Sequence, residues 1–154
     1  MKSLHLISAL LFTLVVPHSG FTTPVILKDL TGNAIPFDSL KGKWVFINYW
    51  ASWCQPCLDE IAELNRFYQK RKDKVALFAV NYDALPLARQ LALIEKYHIR
   101  YPSLQADPGK ALQLGDIRGV PATFVFNPQG ILTDTLYGGQ TLQSLNYSIS
   151  GMPS

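Results

Sequence analysis

The sequence predicts an α/β fold in which a mixed central sheet is flanked by helices and preceded by an N-terminal β-hairpin. Three observations carry that expectation. First, two short and nearly continuous apolar runs, Trp44 to Trp50 and Val75 to Val80, are rich in aromatic and β-branched residues, the composition of strands buried on both faces. Second, between them Cys57, Ile61, Leu64, Phe67 and Tyr68 recur at helical spacing, while Asp59, Glu63, Arg66 and Lys70 fall on the opposite face. Strand, helix, strand in that order makes the two strands parallel. Third, Thr123 to Phe126 and Ile131 to Tyr137 flank Asn127-Pro128-Gln129-Gly130, a turn composition that joins antiparallel strands.

The remaining elements follow in chain order. Residues 1–20 read as a secretory signal peptide: Lys2 supplies a positive start, Leu6 to Val16 is almost wholly apolar, and Pro17-His18-Ser19-Gly20 breaks the run. The apolar stretch is much shorter than the ~20 residues of a spanning helix. No small-residue pair fits a cleavage site cleanly, so retention as an N-terminal membrane anchor is the alternative. A lipid anchor is not expected, since no cysteine precedes Cys54. The domain itself is expected over residues 25–149. It opens with a hairpin, Val25 to Leu30 and Ala34 to Phe37 around Thr31-Gly32-Asn33. Leu85 to Tyr97 reads as a second amphipathic helix, and Asp107-Pro108 as the cap and first position of a short third one ending near Gly115. A last helix is expected from Thr141 to about Ile149. No internal repeat or low-complexity tract interrupts this order.

With 154 residues, 48% hydrophobic and 16% charged, the chain has the length and composition of one globular domain after the leader. Its net charge of +3 comes from 14 basic and 11 acidic residues spread along the chain. The one basic cluster, Lys70-Arg71-Lys72-Asp73-Lys74, suits a helix C-terminus, so no nucleic-acid partner is expected.

The chemistry concentrates at Cys54 and Cys57, the two cysteines of the chain. They stand three apart where a buried strand turns into a helix, which puts both sulfurs on one face within bridging reach. A disulfide around only Gln55 and Pro56 constrains the unfolded chain little, so stability is a weak reason for the pair. At the helix N-terminus, unpaired N–H groups and the macrodipole favour a Cys54 thiolate, the form that attacks disulfides. Pro56 falls in the first turn, where its missing N–H has no partner to lose. A zinc site needs four ligands, and the chain adds only His5, His18 and His98 to the two sulfurs. The alternatives to redox activity are a passive disulfide or half of such a site.

Trp53-Cys54-Gln55-Pro56-Cys57 after the strand Val45 to Ser52, followed much later by Gly119-Val120-Pro121-Ala122-Thr123, resembles the thioredoxin superfamily. The N-terminal hairpin, Lys41-Gly42-Lys43, Asn48 and Glu60 are similar to the exported, membrane-facing reductases of the cytochrome c maturation type. The resemblance covers roughly residues 25–147. It implies that Val120-Pro121 forms a cis-proline loop beside the redox pair and offers its backbone to an extended substrate. A strand-start proline is the plainer alternative. Trp53 would shield the disulfide and shape the docking surface, or simply pack. Glu60, three residues after Cys57 and in helical register with Leu64 and Phe67, is expected to point inward and exchange a proton with Cys57. Its alternative is a solvated helix carboxylate.

Two departures matter. Asn48 stands where cytoplasmic thioredoxins place a buried aspartate, so Glu60 or water must carry that proton. Ala62 stands where many relatives place a kinking proline, which predicts a straighter helix. The reading is therefore a thiol–disulfide reductase of exported proteins, periplasmic or otherwise extracytoplasmic. Protein thiols and disulfides are its partners, and a membrane-borne electron donor recycles it. A monomer is expected, and neither a metal nor an organic cofactor is called for. The rivals are a disulfide oxidase or isomerase and a copper- or haem-handling protein that uses the sulfurs as soft ligands.

Overall fold

The computed structural model describes residues 23–150, and the expectations for residues 1–20 lie outside the described residues. The chain opens with β1 (Ile26–Lys28) and β2 (Ala34–Pro36), an antiparallel pair with Leu27 opposite Ile35. The turn between them is closed by Asp29, whose carboxylate accepts from the backbone N–H groups of Thr31 and Asn33 at 2.9 Å each. Gly32 supplies the left-handed step there, at φ +93°. A 3₁₀ turn over Phe37–Leu40 follows.

The main sheet has four strands: β3 (Trp44–Trp50), β4 (Val75–Asn81), β5 (Ala122–Phe126) and β6 (Leu132–Tyr137), in the order β4-β3-β5-β6. β3 runs parallel to β4 and antiparallel to β5, so the sheet is mixed. The β5–β6 turn is closed by Gly130 N–H donating to Asn127 C=O at 2.8 Å, with Gly130 at φ +80°. The helices are α1 (Gln55–Arg71), α2 (Leu87–Lys96) and α3 (Leu142–Ser150). α1 runs unbroken through Ala62 and ends in Lys70 and Arg71, whose cations suit a helix C-terminus.

β3 splits the core by its pleat. Phe46 and Trp50 face the cluster that holds Leu64 and Phe67 of α1, Leu93 of α2 and Leu145 of α3. Val45, Ile47 and Tyr49 face the other cluster, with Leu27, Phe78, Leu104 and Phe124. Asn48 shares the α1 face by the same alternation and is 1% exposed. A polar side chain so deep must find hydrogen-bond partners.

Three regions differ from the sequence expectation or go beyond it. The short helix expected from Asp107-Pro108 to Gly115 is a series of turns. Its bonds, Leu112 N–H to Pro108 C=O, Gln113 N–H to Lys110 C=O and Leu114 N–H to Gly109 C=O, span different numbers of residues and form no helical ladder. Gln113 at φ +54° then ends any helical course. Asp107 makes the capping bond expected of it, its Oδ1 accepting from Gly109 N–H at 2.7 Å, and the same oxygen also accepts from the Tyr49 hydroxyl at 2.5 Å. The second region is the stretch around Ser103 and Leu104, which bridges β4 at Ala79 on one side and the hairpin at Asp29 on the other. It ties the N-terminal hairpin to the main sheet. α2 starts two residues later than expected because Pro86 is extended, at ψ 148°, and disfavours helix at Leu85 before it.

Candidate active site

β3 ends at Trp50 and α1 begins at Gln55, and the connection delivers both sulfurs to one point. Cys54 is the N-cap of α1, in the extended conformation at φ −93° and ψ 100°. Its Sγ accepts from the Cys57 backbone N–H at 3.3 Å, so a first-turn donor with no helical partner points at the sulfur. The two cysteines are bridged, with S–S 2.09 Å and Cα–Cα 5.3 Å. Cys57 is 0% exposed and Cys54 5%, so the outer sulfur is the one approached from solvent. Pro56 lies in the first turn.

Trp53 stands out from the surface at 66% exposure. Its indole N–H reaches both carboxylate oxygens of Asp83, at 3.0 and 3.1 Å, which holds an exposed aromatic face in one place beside the sulfurs' end of α1. The Val120–Pro121 peptide is cis. Pro121 is buried and Val120 half-buried between both core clusters. β5 starts at the next residue, with Ala122 paired to Tyr49, so the loop lies at the same end of the sheet as the Trp50-to-Gln55 connection.

Glu60 lies inward, one helical turn beyond Cys57, at 3% exposure, whereas Asp59 is exposed and accepts from Gln55 Nε2 at 2.8 Å. Both Glu60 oxygens are engaged: Oε1 accepts from Asn48 Nδ2 at 2.8 Å and Oε2 from the Gln140 backbone N–H at 2.8 Å. Burial pushes its carboxyl up to about 7, against the two hydrogen bonds, which favour the anion. A cleft of about 320 Å³ lined by Pro56, Asp59, Glu60, Glu63 and Gly139 to Thr141 opens beside it. Glu63 accepts from the Leu142 N–H at 2.8 Å, so two carboxylates of α1 cap the start of α3.

Asp83 and Gln140, and the Tyr101 and Thr123 hydroxyls that hydrogen-bond Asn48, take part in this arrangement; of these only Thr123, in the Gly119-to-Thr123 motif, carries a signal in the sequence. Gln140 contributes only its backbone to Glu60, and Asp83 is one carboxylate in a loop after β4. Among the described residues no group of three His, Cys, Asp or Glu comes together as a metal site, and no helix is long and apolar enough to cross a membrane. A larger cavity, about 600 Å³, lies between β6 and α3 and takes none of its lining from residues 53–60 or 119–121.

Comparison with known proteins agrees with this geometry. The model of the AhpC/TSA family matches residues 20–135. The thiol-disulfide oxidoreductase ResA of Bacillus cereus is 30% identical over 121 residues, covering 78% of this chain and 69% of that protein. The crystal structure of StoA from Bacillus subtilis superposes with a TM-score of 0.64 at 25% identity, covering 78% of this chain and 91% of that one. The pneumococcal exposed lipoprotein thioredoxin of Streptococcus pneumoniae shares the fold with a TM-score of 0.72 at 20% identity, covering 84% of this chain and 99% of that one.

Proposed function

We propose that this chain, which belongs to the AhpC/TSA family and is a thiol–disulfide oxidoreductase with a thioredoxin fold, works in the reducing direction on disulfides of exported proteins. The observation that carries the reading is a buried carboxylate, Glu60, held one helical turn beyond the fully buried Cys57.

The cycle starts from the dithiol. The Cys54 thiolate, favoured by the N-terminal N–H groups of α1, attacks one sulfur of a substrate disulfide, and the other substrate sulfur leaves as a thiolate that takes a proton from solvent. Cys54 is then joined to substrate in a mixed disulfide. Glu60 takes the proton of the Cys57 thiol, the Cys57 sulfur attacks Cys54 Sγ, and the second substrate thiolate leaves and takes that proton, which returns Glu60 to its anion. Substrate gains two electrons and two protons, and the protein ends as the Cys54–Cys57 disulfide. A membrane-borne donor returns it to the dithiol. Val120 and Pro121 offer backbone to an extended substrate segment and Trp53 its exposed ring face.

A carboxylate near the pair opposes excessive stabilisation of the Cys54 thiolate, and a pair whose thiolate is less stabilised is a weaker oxidant. That supports the reducing direction, with a potential nearer to about −270 mV than to about −120 mV. The leader-like pattern of residues 1–20 supports work outside the cytoplasm. Trapping with Cys57→Ser tests the substrate class, since the variant stalls with substrate on Cys54, and equilibration of the wild-type pair against glutathione tests direction. Exported proteins on Cys54 and a low potential are expected. A potential at the oxidising extreme would favour the oxidase rival.

A further inference from the structure

Among the buried polar residues, Asn48 is the one that donates a side-chain hydrogen bond to Glu60. It sits in the middle of β3, 1% exposed, paired with Thr123 of β5 on one side and Ala79 of β4 on the other. An isolated amide there would be costly, and this one is fully used. Nδ2 donates to Glu60 Oε1 at 2.8 Å and to Thr123 Oγ1 at 3.0 Å, and Oδ1 accepts from the Tyr101 hydroxyl at 3.4 Å.

The partners fix which way the amide faces. Turning it over would set Oδ1 against the Glu60 carboxylate, two acceptors together, and would leave the Tyr101 hydroxyl donating to nothing. Thr123 and Tyr101, 0% and 3% exposed, come from β5 and from the segment before β4's bridge, so three parts of the chain converge to aim one N–H at Glu60. Thr123 also stands two residues after Pro121, which links the carboxylate to the strand that carries the cis-proline loop.

We infer that Asn48 is a positioning residue for Glu60: its locked amide holds the carboxylate in place and supports its anion while that anion accepts the Cys57 proton. This rests on the proton role given to Glu60 above. The other groups that face Glu60 do not substitute for the amide. Asp59 and Glu63 on α1 share its cleft and can only repel an anion. Tyr101 is raised first by its own burial and then by the Glu60 charge, so it stays a neutral phenol. The α3 side offers one backbone donor, Gln140 N–H. β3 and β5 bring no charge, since Asn48 and Thr123 are neutral. Loss of the amide therefore removes one of two donors to a desolvated anion.

The test is a two-step reaction of the full-length dithiol protein with an aromatic disulfide that releases one coloured thiolate when Cys54 attacks and a second when Cys57 resolves. In Asn48→Leu the midpoint of the pH dependence of the second step should move up by about one pH unit, a roughly tenfold slower resolution below the midpoint. The first step should stay unchanged. In a Glu60→Gln background the same substitution should move nothing. If Asn48→Leu fails to fold, Tyr101→Phe and Thr123→Val each remove one lock on the amide and should give a smaller move in the same direction. A Glu60→Gln protein with a flattened profile beside an unmoved Asn48→Leu profile would overturn the positioning role alone. An unmoved Glu60→Gln profile would overturn the proton role and the inference with it.

Discussion

Glu60→Gln should change how stability depends on pH, by an amount the structure sets. In the folded protein the carboxyl is pushed from its ordinary 4.5 up to about 7, first by burial and against the hydrogen bonds from Gln140 and Asn48. Between those two values the unfolded chain has lost the Glu60 proton and the folded protein keeps it. The folded state binds more protons, so stability falls as pH rises through the window and levels off above about 7. At about 1.4 kcal/mol per pH unit the total is about 3 kcal/mol, a large part of a domain's usual 5–15 kcal/mol. Gln cannot titrate, so its variant lacks this fall. It carries instead a nearly pH-independent cost of about 1–3 kcal/mol. Glu60 accepts on both oxygens, and the amide must present an N–H to one of those two donors. The variant should thus be less stable than wild type near pH 4 and draw level or ahead near pH 8. Urea titration of the disulfide form, in which the cysteines do not titrate, reads the difference as a relative shift of roughly 1–2 M in midpoint across that range. Curves for the two proteins that run parallel in pH would refute the reasoning, because they would mean that the Glu60 carboxyl titrates alike in both states.

Alkylation of the dithiol at mildly acidic pH should label Cys54 before Cys57, because Cys54 caps α1 and Cys57 is 0% exposed; preferential labelling of Cys57, read by peptide mass, would reverse their roles. Gly109→Ala should lower the Tm by roughly 3–10 °C. The added carbon would lie 3.0 Å from Asp107 Oδ1 and 3.1 Å from Tyr49 Oη, wedging apart a half-buried hydrogen bond. Gly139→Ala, whose carbon meets only Pro56 O at 3.5 Å, is the control, and equal losses in the two would show that the Tyr49–Asp107 pair is not what Gly109 protects.

Where one physical effect decides an element, the sequence shows it. Trp44 to Trp50 is a strand because a nearly unbroken apolar run rich in aromatic and β-branched residues can bury both faces, and β3 occupies those seven residues. The Asn127-to-Gly130 turn is equally local, since the left-handed step needs Gly130 and gets it. The stretch from Asp107 to Gly115 shows the opposite. Asp107-Pro108 is a good helix start by local rules and the capping bond to Gly109 N–H forms, but Gln113 turns to positive φ and Asp107 is also tied to Tyr49, 58 residues earlier, a contact no window of sequence contains. The bridge of Ser103 and Leu104 to Ala79 and Asp29 is hidden for the same reason.

The site divides along that line too. Cys54, Cys57 and the cap between them are properties of five consecutive residues, and helical spacing alone puts Glu60 on the face of Leu64 and Phe67. The surroundings that tune Glu60 are assembled from afar. One of its donors is a backbone N–H, which every residue but proline carries, so the identity of Gln140 says nothing of it. The other is Asn48, legible in the sequence as the replacement for a buried aspartate, but its bond to Glu60 takes shape only once Tyr101 and Thr123 fix which end of its amide faces the carboxylate. Residues that react are chosen for their own chemistry and announce it in the sequence. Those that set a proton affinity act through geometry, and how the asparagine in the middle of β3 bears on Glu60 becomes clear only once the fold has closed around it.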